Sequence, residues 1–215
     1  MYHVGLFEGI GGFSLAARLA GLNSEISCEI DEDCRDVLKS NFPNTTLFED
    51  VKKLTKENFD EILISKYGEN YGEQMLLTGG FPCQPFSYSG NRGGASDNRY
   101  LWPEMLRIIK SVRPSWVIGE NIAGLLTMVL PPEASAMGNS SYYREGVLFN
   151  IIENLVKAEY DVQTFIIPAC AVGAPHLRER LWIVARRNDL GDKQKFSFRD
   201  ADGGSGVCKC ESESV

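Results

Sequence analysis

The chain has 215 residues, a length that suits one well-buried hydrophobic core and predicts one domain rather than two. Its 22 Lys and Arg against 29 Asp and Glu give a net charge of −7, which excludes the broad basic surface of a free-standing nucleic-acid binder. The six cysteines lack the spacing of a disulfide framework, and the sequence shows neither a signal peptide nor an apolar run of the roughly 18 residues that span a bilayer. These features predict a cytoplasmic protein that has at most a local contact with nucleic acid.

Short apolar runs alternate with helical patterns along the chain, an order that predicts an α/β fold with a parallel sheet and helices on both faces. Strands are predicted at residues 3–7, 26–30, 45–48, 74–78, 115–119, 161–167 and 181–185, and helices at 12–22, 31–41, 102–112 and 145–158. Asp31 is predicted as the N-cap of the second helix, and Pro103 and Pro114 mark the start and the end of the third. The segments 49–66 and 127–143 are predicted as a polar connection and a loop. Residues 188–215 are polar and end in acidic residues, which predicts a disordered tail after a folded domain of residues 1–187.

The first predicted strand runs through residues 7–12 (FEGIGG) directly into a helix. Glycines in this position permit a tight turn and let a ligand approach bare backbone beside a helix N-terminus. Glu29 follows the second strand at a spacing close to that of acids that bind ribose hydroxyls, and Asp50 follows the third strand, where it could accept from an adenine amino group. The combination favours a nucleoside ligand over a turn that serves packing alone, although a solvated turn aspartate is the alternative for Asp50.

Cys83 lies in residues 77–87 (LTGGFPCQPFS), between Pro82 and Gln84. The neighbouring glycines and prolines interrupt both strand and helix, so this cysteine is predicted to lie on an exposed, rigid bend that suits a nucleophile. Because the thiolate is the reactive form, its surroundings must stabilise the negative charge. Glu120 follows the fifth strand and is expected at the same edge of the sheet.

The remaining cysteines and histidines receive no chemical role. We expect buried, inert thiols at Cys28, Cys34 and Cys170. The pair at 208 and 210 has a spacing seen in metal sites but no second pair, so no metal is predicted. His3 is expected at the edge of the first strand without an identifiable partner.

Six features of the sequence together resemble motifs of the C5-cytosine DNA methyltransferase family. Two are single residues: Glu29 resembles its ribose-binding acid, and Asp50 resembles its adenine-binding aspartate. Residues 7–12 resemble its first motif, residues 80–87 its nucleophile motif, residues 120–122 (ENI) its ENV motif and residues 178–180 (RER) its RxR motif. The resemblance spans residues 4–187 in family order. It implies a Rossmann-like S-adenosylmethionine-dependent methyltransferase fold, whose mostly parallel sheet has an antiparallel last strand, and the activity of a DNA (cytosine-5-)-methyltransferase.

The resemblance also implies a role for each motif residue. Cys83 would attack C6 of a cytosine flipped out of duplex DNA, and Glu120 would protonate or hydrogen-bond ring atom N3. Arg180 would hold the cytosine O2, Arg178 would help anchor the loop near the phosphates, and Asn121 would fix the turn before the nucleophile. S-adenosylmethionine would contact Phe7, Gly9, Gly11, Gly12, Glu29, Ile30, Asp50 and Pro82. The substrate and the mobile loop 88–98 would involve Gln84, Ser87, Arg92, Arg99 and Asn121, with an ordinary solvated charge as the alternative for both loop arginines.

The chain departs from the family pattern after its last predicted strand. Family members continue into a target-recognition domain and two further motifs, which residues 188–215 cannot build; in addition, His176 stands where glutamine is common. Two alternatives stay open: a noncatalytic or half-enzyme S-adenosylmethionine-binding subunit that requires a complementing partner with the recognition domain, and an RNA cytosine methyltransferase. An exposed sheet face in place of the missing closing helix predicts a partner or self-association.

Overall fold

The computed structural model of the protein describes residues 1–82, 100–129 and 146–193. Within these ranges the chain forms a seven-stranded sheet in the order β3-β2-β1-β4-β5-β7-β6. The strands are β1 (Tyr2–Leu6), β2 (Ser24–Cys28), β3 (Thr46–Phe48), β4 (Met75–Gly79), β5 (Trp116–Ile122), β6 (Tyr160–Pro168) and β7 (Glu179–Arg187). The α-helices are α1 (Gly12–Leu19), α2 (Glu32–Asn41), α3 (Lys56–Tyr67), α4 (Trp102–Val112) and α5 (Val147–Lys157).

The sheet is parallel except at one side. β1 pairs in parallel with β2 and β4, β2 with β3, and β4 with β5, whereas β7 runs antiparallel to both β5 and β6. The predicted mostly parallel sheet and its antiparallel last strand are therefore confirmed. Because parallel strands end at the same edge, the segments that follow β1 to β5 meet there.

One helix was missed by the sequence analysis, because α3 lies in the segment predicted as a polar connection. A capping box between Thr55 and Asn58 starts this helix. Phe59 and Leu63, one helical turn apart, are its two buried residues among twelve, so the polar majority hides the pattern. The N-cap prediction at Asp31 is confirmed, since its carboxylate accepts a hydrogen bond from the backbone of Cys34 in α2.

Three further expectations are corrected. His3, expected at the edge of the first strand without a partner, is fully buried near the start of β1, where Ser24 and Thr78 of the neighbouring strands supply hydroxyl partners. Cys28 is buried as expected, but Cys170 is exposed because it follows the edge strand β6. The tail prediction fails at its start: Asn188–Lys193 forms a 3₁₀ turn, held by ion pairs of Asp189 with Arg187 and Arg113. Residues 194–215 lie outside the described part of the chain.

The sheet has one half-covered face on the side of α1. Along β7, fully buried side chains alternate with half-buried ones, and the half-buried set includes Trp182 and Val184. The β6–β7 register places Phe165 and Ile167 on the same face, with exposed fractions of 41% and 42%. Helix α1 meets this face at Phe13, whose ring packs edge-on against Trp182 with 6.0 Å between centroids. We call this half-covered surface the open face; it consists of Trp182, Val184, Phe165 and Ile167.

Among the described residues, no helix combines the length and apolar character that a membrane crossing requires.

Candidate active site

The glycine loop, residues 7–12, joins β1 to α1 through a series of left-handed backbone conformations. Phe7, Gly9 and Gly11 have φ values of 55°, 55° and 92°. Besides its left-handed backbone, Gly11 has no room for a side chain, since a Cβ there would lie 2.8 Å from side-chain atoms of Leu38 in α2 and of Phe42 directly after it. No described atom lies within 4 Å of a Cβ built on Gly9, so the space in front of that residue is open to a ligand.

Glu29 is fixed beside the glycine loop by two backbone amides. The amide of Gly9 donates to Oε2 at 2.7 Å, and the amide of Asp31 donates to Oε1 at 2.9 Å. Each carboxylate oxygen can accept more than one hydrogen bond, so both remain available to hydroxyl groups of a ligand. The acid therefore links the end of β2 to the loop that follows β1.

The next carboxylate along this edge belongs to Asp50. The side chain caps the 3₁₀ segment Val51–Lys53 by accepting from the amide of Lys52 at 2.9 Å. Cys28 pairs with Phe48 in the β2–β3 ladder, so the residues that follow these strands lie at one edge. The neighbouring Ile30 is 74% exposed, an apolar side chain left in contact with solvent beside two acids. This combination of polar and apolar groups suits a nucleoside, which has hydroxyls on its ribose and an apolar base face.

Asn121 immobilises the segment that leads into Cys83. Its side-chain amide donates to the carbonyl of Phe81 at 2.9 Å, while its own Oδ1 accepts from the amide of Ile122. Asn121 is only 4% exposed, and the Phe81 ring packs 5.2 Å from that of Trp102 at the start of α4. Strand β5 and helix α4 thus hold both sides of the backbone at the last described residues before the cysteine.

Glu120 and Arg180 form an ion pair across β5 and β7. Arg180 Nε lies 2.8 Å from Glu120 Oε1, and the two side chains are 22% and 26% exposed, respectively. The second carboxylate oxygen of Glu120 faces Gly80, where a Cβ would lie 3.4 Å from it. A proton donor or acceptor and a fixed positive charge are therefore placed together, beside the turn that precedes Cys83.

The sequence pattern described as C-5 cytosine-specific DNA methylase matches residues 1–203. The chain belongs to this family. Among curated methylases, it is 34% identical over 194 residues to Type II methyltransferase M.PspPI of Psychrobacter sp. (strain TA137), a match that covers 90% of the chain. It is also 29% identical over 199 residues to Type II methyltransferase M.AquIA of Picosynechococcus sp. (strain ATCC 27264 / PCC 7002 / PR-6), again over 90% of the chain.

These relatives differ in how much further they extend. The match covers 41% of M.PspPI and 74% of M.AquIA, so the chain spans less than half the length of the first. Among solved structures, a DNMT2 mutant from Spodoptera frugiperda superposes with a TM-score of 0.63 at 25% identity, over 91% of the chain and 53% of that protein. These proteins thus share the methylase fold of the chain, and each contains further residues outside the matched region.

Most of the described residues predicted to form the methylase site lie at one edge of the sheet. Phe7, Gly9, Gly11, Gly12, Glu29, Ile30, Asp50, Pro82, Glu120 and Asn121 follow or end strands β1 to β5, and Arg180 reaches the same edge from β7. Arg178 is not part of the Glu120–Arg180 pair; it is exposed, with a left-handed φ of 27°. Cys83, Gln84, Ser87, Arg92, Arg99 and the loop 88–98 lie outside the described residues.

Two side chains beside the methylase site were not identified from the sequence. Trp182 lies opposite Glu120 in the β5–β7 register. The feature that could have identified it is a large aromatic ring on the half-buried side of a strand whose side chains alternate in burial. Glu8, within the glycine loop, is 4% exposed although it is an acid. Its position between Phe7 and Gly9 was a signal, because a charged residue inside a buried turn needs a structural reason.

Proposed function

We propose that this chain carries the catalytic and cofactor-binding domain, residues 1–187, of a DNA (cytosine-5-)-methyltransferase that acts on cytosine in cytoplasmic duplex DNA. The observation that carries the proposal is the Glu120–Arg180 ion pair of 2.8 Å, next to the turn that enters Cys83. Family membership and similarity to Type II methyltransferases support the same reaction.

The described residues fit S-adenosylmethionine as the methyl donor. Glu29 presents two oxygens to ribose hydroxyls while it is held by the amides of Gly9 and Asp31. Asp50 would accept from the adenine amino group, and the exposed Ile30 would pack on the base. The open space in front of Gly9 leaves room for the ligand beside the N-terminus of α1. When bound, S-adenosylmethionine would supply the methyl group taken up by C5 of the cytosine.

The residues of the chain would make that carbon reactive. The Cys83 thiolate would form a bond to C6, which moves electron density to C5, N3 and O2 of the ring. A proton on Glu120 would neutralise N3, and Arg180 would stabilise the charge at O2. After C5 has taken up the methyl group, it loses its proton to solvent, the electron pair restores the C5–C6 double bond, and the sulfur leaves as thiolate. N3 would return its proton to Glu120, which restores the neutral ring and the starting state of the acid.

The Glu120–Arg180 geometry matches the edge of the cytosine ring. N3 and O2 are neighbouring acceptors on that edge, so the base needs two donors side by side. The guanidinium of Arg180 is one donor, and the carboxylate of Glu120, 2.8 Å from it, would become the second when it takes up a proton. Groups that are fixed in advance at a developing charge act without the cost of reorganisation during the reaction.

A second candidate function is a subunit that binds S-adenosylmethionine but needs further polypeptide for catalysis. The open face favours it, because its apolar side chains Phe165 and Ile167 remain 41% and 42% exposed. We propose that this face is covered by the part of a methyltransferase that carries target recognition, as a continuation of the chain or as a complementing subunit. Interaction surfaces of this apolar kind are uncommon on isolated monomers.

Transfer of a labelled methyl group from S-adenosylmethionine tests the proposed function. Duplex DNA and tRNA are offered as acceptors to the chain, to Cys83→Ala and to the matched control Cys170→Ala, which removes an exposed thiol from the end of β6. We expect label in DNA cytosine with the chain and the control, and none with Cys83→Ala. Label in tRNA alone would support the RNA enzyme, whereas cofactor binding without any transfer would support the binding subunit.

A further inference from the structure

A buried polar cluster lies between β1 and α1, behind the glycine loop. His3 is fully buried, with Nδ1 2.8 Å from the Ser24 hydroxyl and Nε2 2.8 Å from the Thr78 hydroxyl. Glu8 is the only acid of this cluster within the described residues, and its Oε1 lies 3.8 Å from His3 Nε2. Neither residue has a part in the proposed chemistry, so the cluster needs another explanation.

Glu8 connects the glycine loop to three elements. Its side chain turns back onto β1, where a Cβ on Gly5 would overlap with the carboxyl group. Its Oε2 accepts from the amide of Ser14 in α1 at 3.4 Å, and its own amide donates to the carbonyl of Cys28 in β2 at 3.3 Å. A change in the position of Glu8 would therefore be transmitted to both ends of the loop, including Gly9, whose amide binds Glu29.

The environment of Glu8 favours an uncharged carboxyl group. Among the described residues Oε1 has no hydrogen-bond partner, and a buried carboxylate with one unpartnered oxygen is costly when it is ionised. Burial raises the pKa of Glu8 to about 7, with a smaller contribution from the negative charge of Glu29, and burial lowers the pKa of His3 to about 4. The hydroxyl of Ser14, which also interacts with Glu8, carries no charge. Near pH 6 both members of the pair are therefore mainly neutral.

We propose that Glu8 is a positioning residue for the cofactor: its neutral carboxyl group holds the glycine loop in the shape that receives S-adenosylmethionine. Ionisation of Glu8 places a negative charge against Gly5 and His3 without a counter-ion, so the loop must rearrange and the contact between Gly9 and Glu29 is disturbed. This inference rests on the proposed function, because it assigns the loop to cofactor binding. It adds a residue that acts through the loop and does not itself take part in the reaction.

Calorimetric titration with S-adenosylmethionine between pH 6 and 8.5 tests this role in the chain, Glu8→Gln and Glu8→Ala. We expect the affinity of the chain to fall about tenfold over this range, as a difference of one pKa unit between free and bound states would give. Glu8→Gln keeps the shape without the charge, so its affinity should match the chain at pH 6 and stay constant with pH. Glu8→Ala should bind about tenfold more weakly at every pH. Equal, pH-independent affinities for all three proteins would overturn the proposal.

Amide hydrogen exchange without cofactor separates this inference from the proposed function. Glu8→Ala should speed exchange at Gly9 and Ser14, and Glu8→Gln should not. The matched control is Glu25→Gln in β2, a buried acid that is paired with Lys66 and Tyr67 away from the loop. Unchanged exchange in Glu8→Ala would contradict the role of Glu8 even if the cofactor binds. Faster exchange together with no cofactor binding by the unaltered chain at any pH would support the loop role and refute the proposed ligand.

Discussion

The Nε atom of Arg180 lies 2.8 Å from Oε1 of Glu120, and this ion pair joins the antiparallel strand β7 to the end of the parallel strand β5. Two motifs that are separated by some sixty residues of sequence thereby form one polar surface. The antiparallel entry of β7 is the feature that brings Arg180 to the edge where the parallel strands end. The direction of β7 in the sheet therefore determines that a positive charge lies beside Glu120.

Substitution of Glu120 should remove activity with little effect on stability. Glu120→Gln keeps the size of the side chain but cannot transfer a proton, so we expect methyl transfer to fall by about a hundredfold or more. The matched control is Glu104→Gln, because Glu104 forms an ion pair of the same 2.8 Å length with Arg107 on α4. Steady-state rates of methyl transfer are measured for both variants. A similar loss of rate in both would show that Glu120→Gln acts through the structure and not through proton transfer.

Asn121 should support the nucleophile turn through its bond to the carbonyl of Phe81. Asn121→Ala leaves this carbonyl buried without the amide partner, which should lower the free energy of unfolding by about 1–3 kcal/mol and also reduce methyl transfer. Asn154→Ala is the control, since Asn154 makes a similar bond to the carbonyl of Asn150 within α5. Denaturant titration and transfer rates are measured side by side, and full activity in Asn121→Ala would argue against the positioning role.

The buried pair His3 and Glu8 predicts opposite pH dependences of stability. Burial raises the pKa of Glu8 from 4.5 to about 7, so its contribution is complete below pH 4.5 and is lost as the pH rises to 7. Burial lowers the pKa of His3 from 6.5 to about 4, so its contribution is complete above pH 6.5 and is lost as the pH falls to 4. The two trends nearly cancel in the chain between pH 4.5 and 6.5.

Removal of either group should reveal the trend of the other. Glu8→Gln should gain stability as the pH rises from 4.5 to 6.5, and His3→Gln should lose stability over the same range, each by up to about 3 kcal/mol. Urea denaturation at several pH values measures both slopes. Slopes of the same sign in the two variants would show that the assigned protonation states are incorrect.

The open face should tolerate polar side chains without loss of folding. Phe165→Ser is expected to lower the free energy of unfolding by only about 1–2 kcal/mol, because the side chain is already 41% exposed. The control Ile183→Ser lies on the covered face of β7, is 1% exposed, and should destabilise the protein by several kcal/mol. Sedimentation analysis should show weaker self-association for Phe165→Ser; unchanged association would exclude this face as the contact surface.

Much of the fold was readable from the sequence because local signals agreed with tertiary structure. The Asp31 cap and the bounds of α4 were predicted correctly, and Pro103 and Pro114 gave the limits of that helix. Helix α3 was missed because it buries only Phe59 and Leu63. Side-chain environments that depend on strand order were not readable, since nothing local to His3 shows that β1 lies between β2 and β4.

The site was predictable at the level of motifs but not of contacts. Spacing placed Glu29 near the glycines, yet the bond from Gly9 to its carboxylate depends on the pairing of β1 with β2. The Glu120–Arg180 pair likewise depends on the antiparallel register of β5 and β7. No local sequence pattern predicts this register. The position of Glu8 between Phe7 and Gly9 marked it as unusual, but its burial against β1 depends on tertiary structure.

Covalent trapping tests the central claim most directly. The folded chain is incubated with S-adenosylmethionine and duplex DNA that contains 5-fluorocytosine, from which fluorine cannot leave as a cation, so the bond between sulfur and C6 should persist. We predict a denaturation-resistant protein–DNA adduct with the chain and with Cys170→Ala, and none with Cys83→Ala. An adduct that survives in Cys83→Ala, or no adduct from a folded chain that binds the cofactor, would contradict the claim that Cys83 is the nucleophile of an active cytosine methyltransferase.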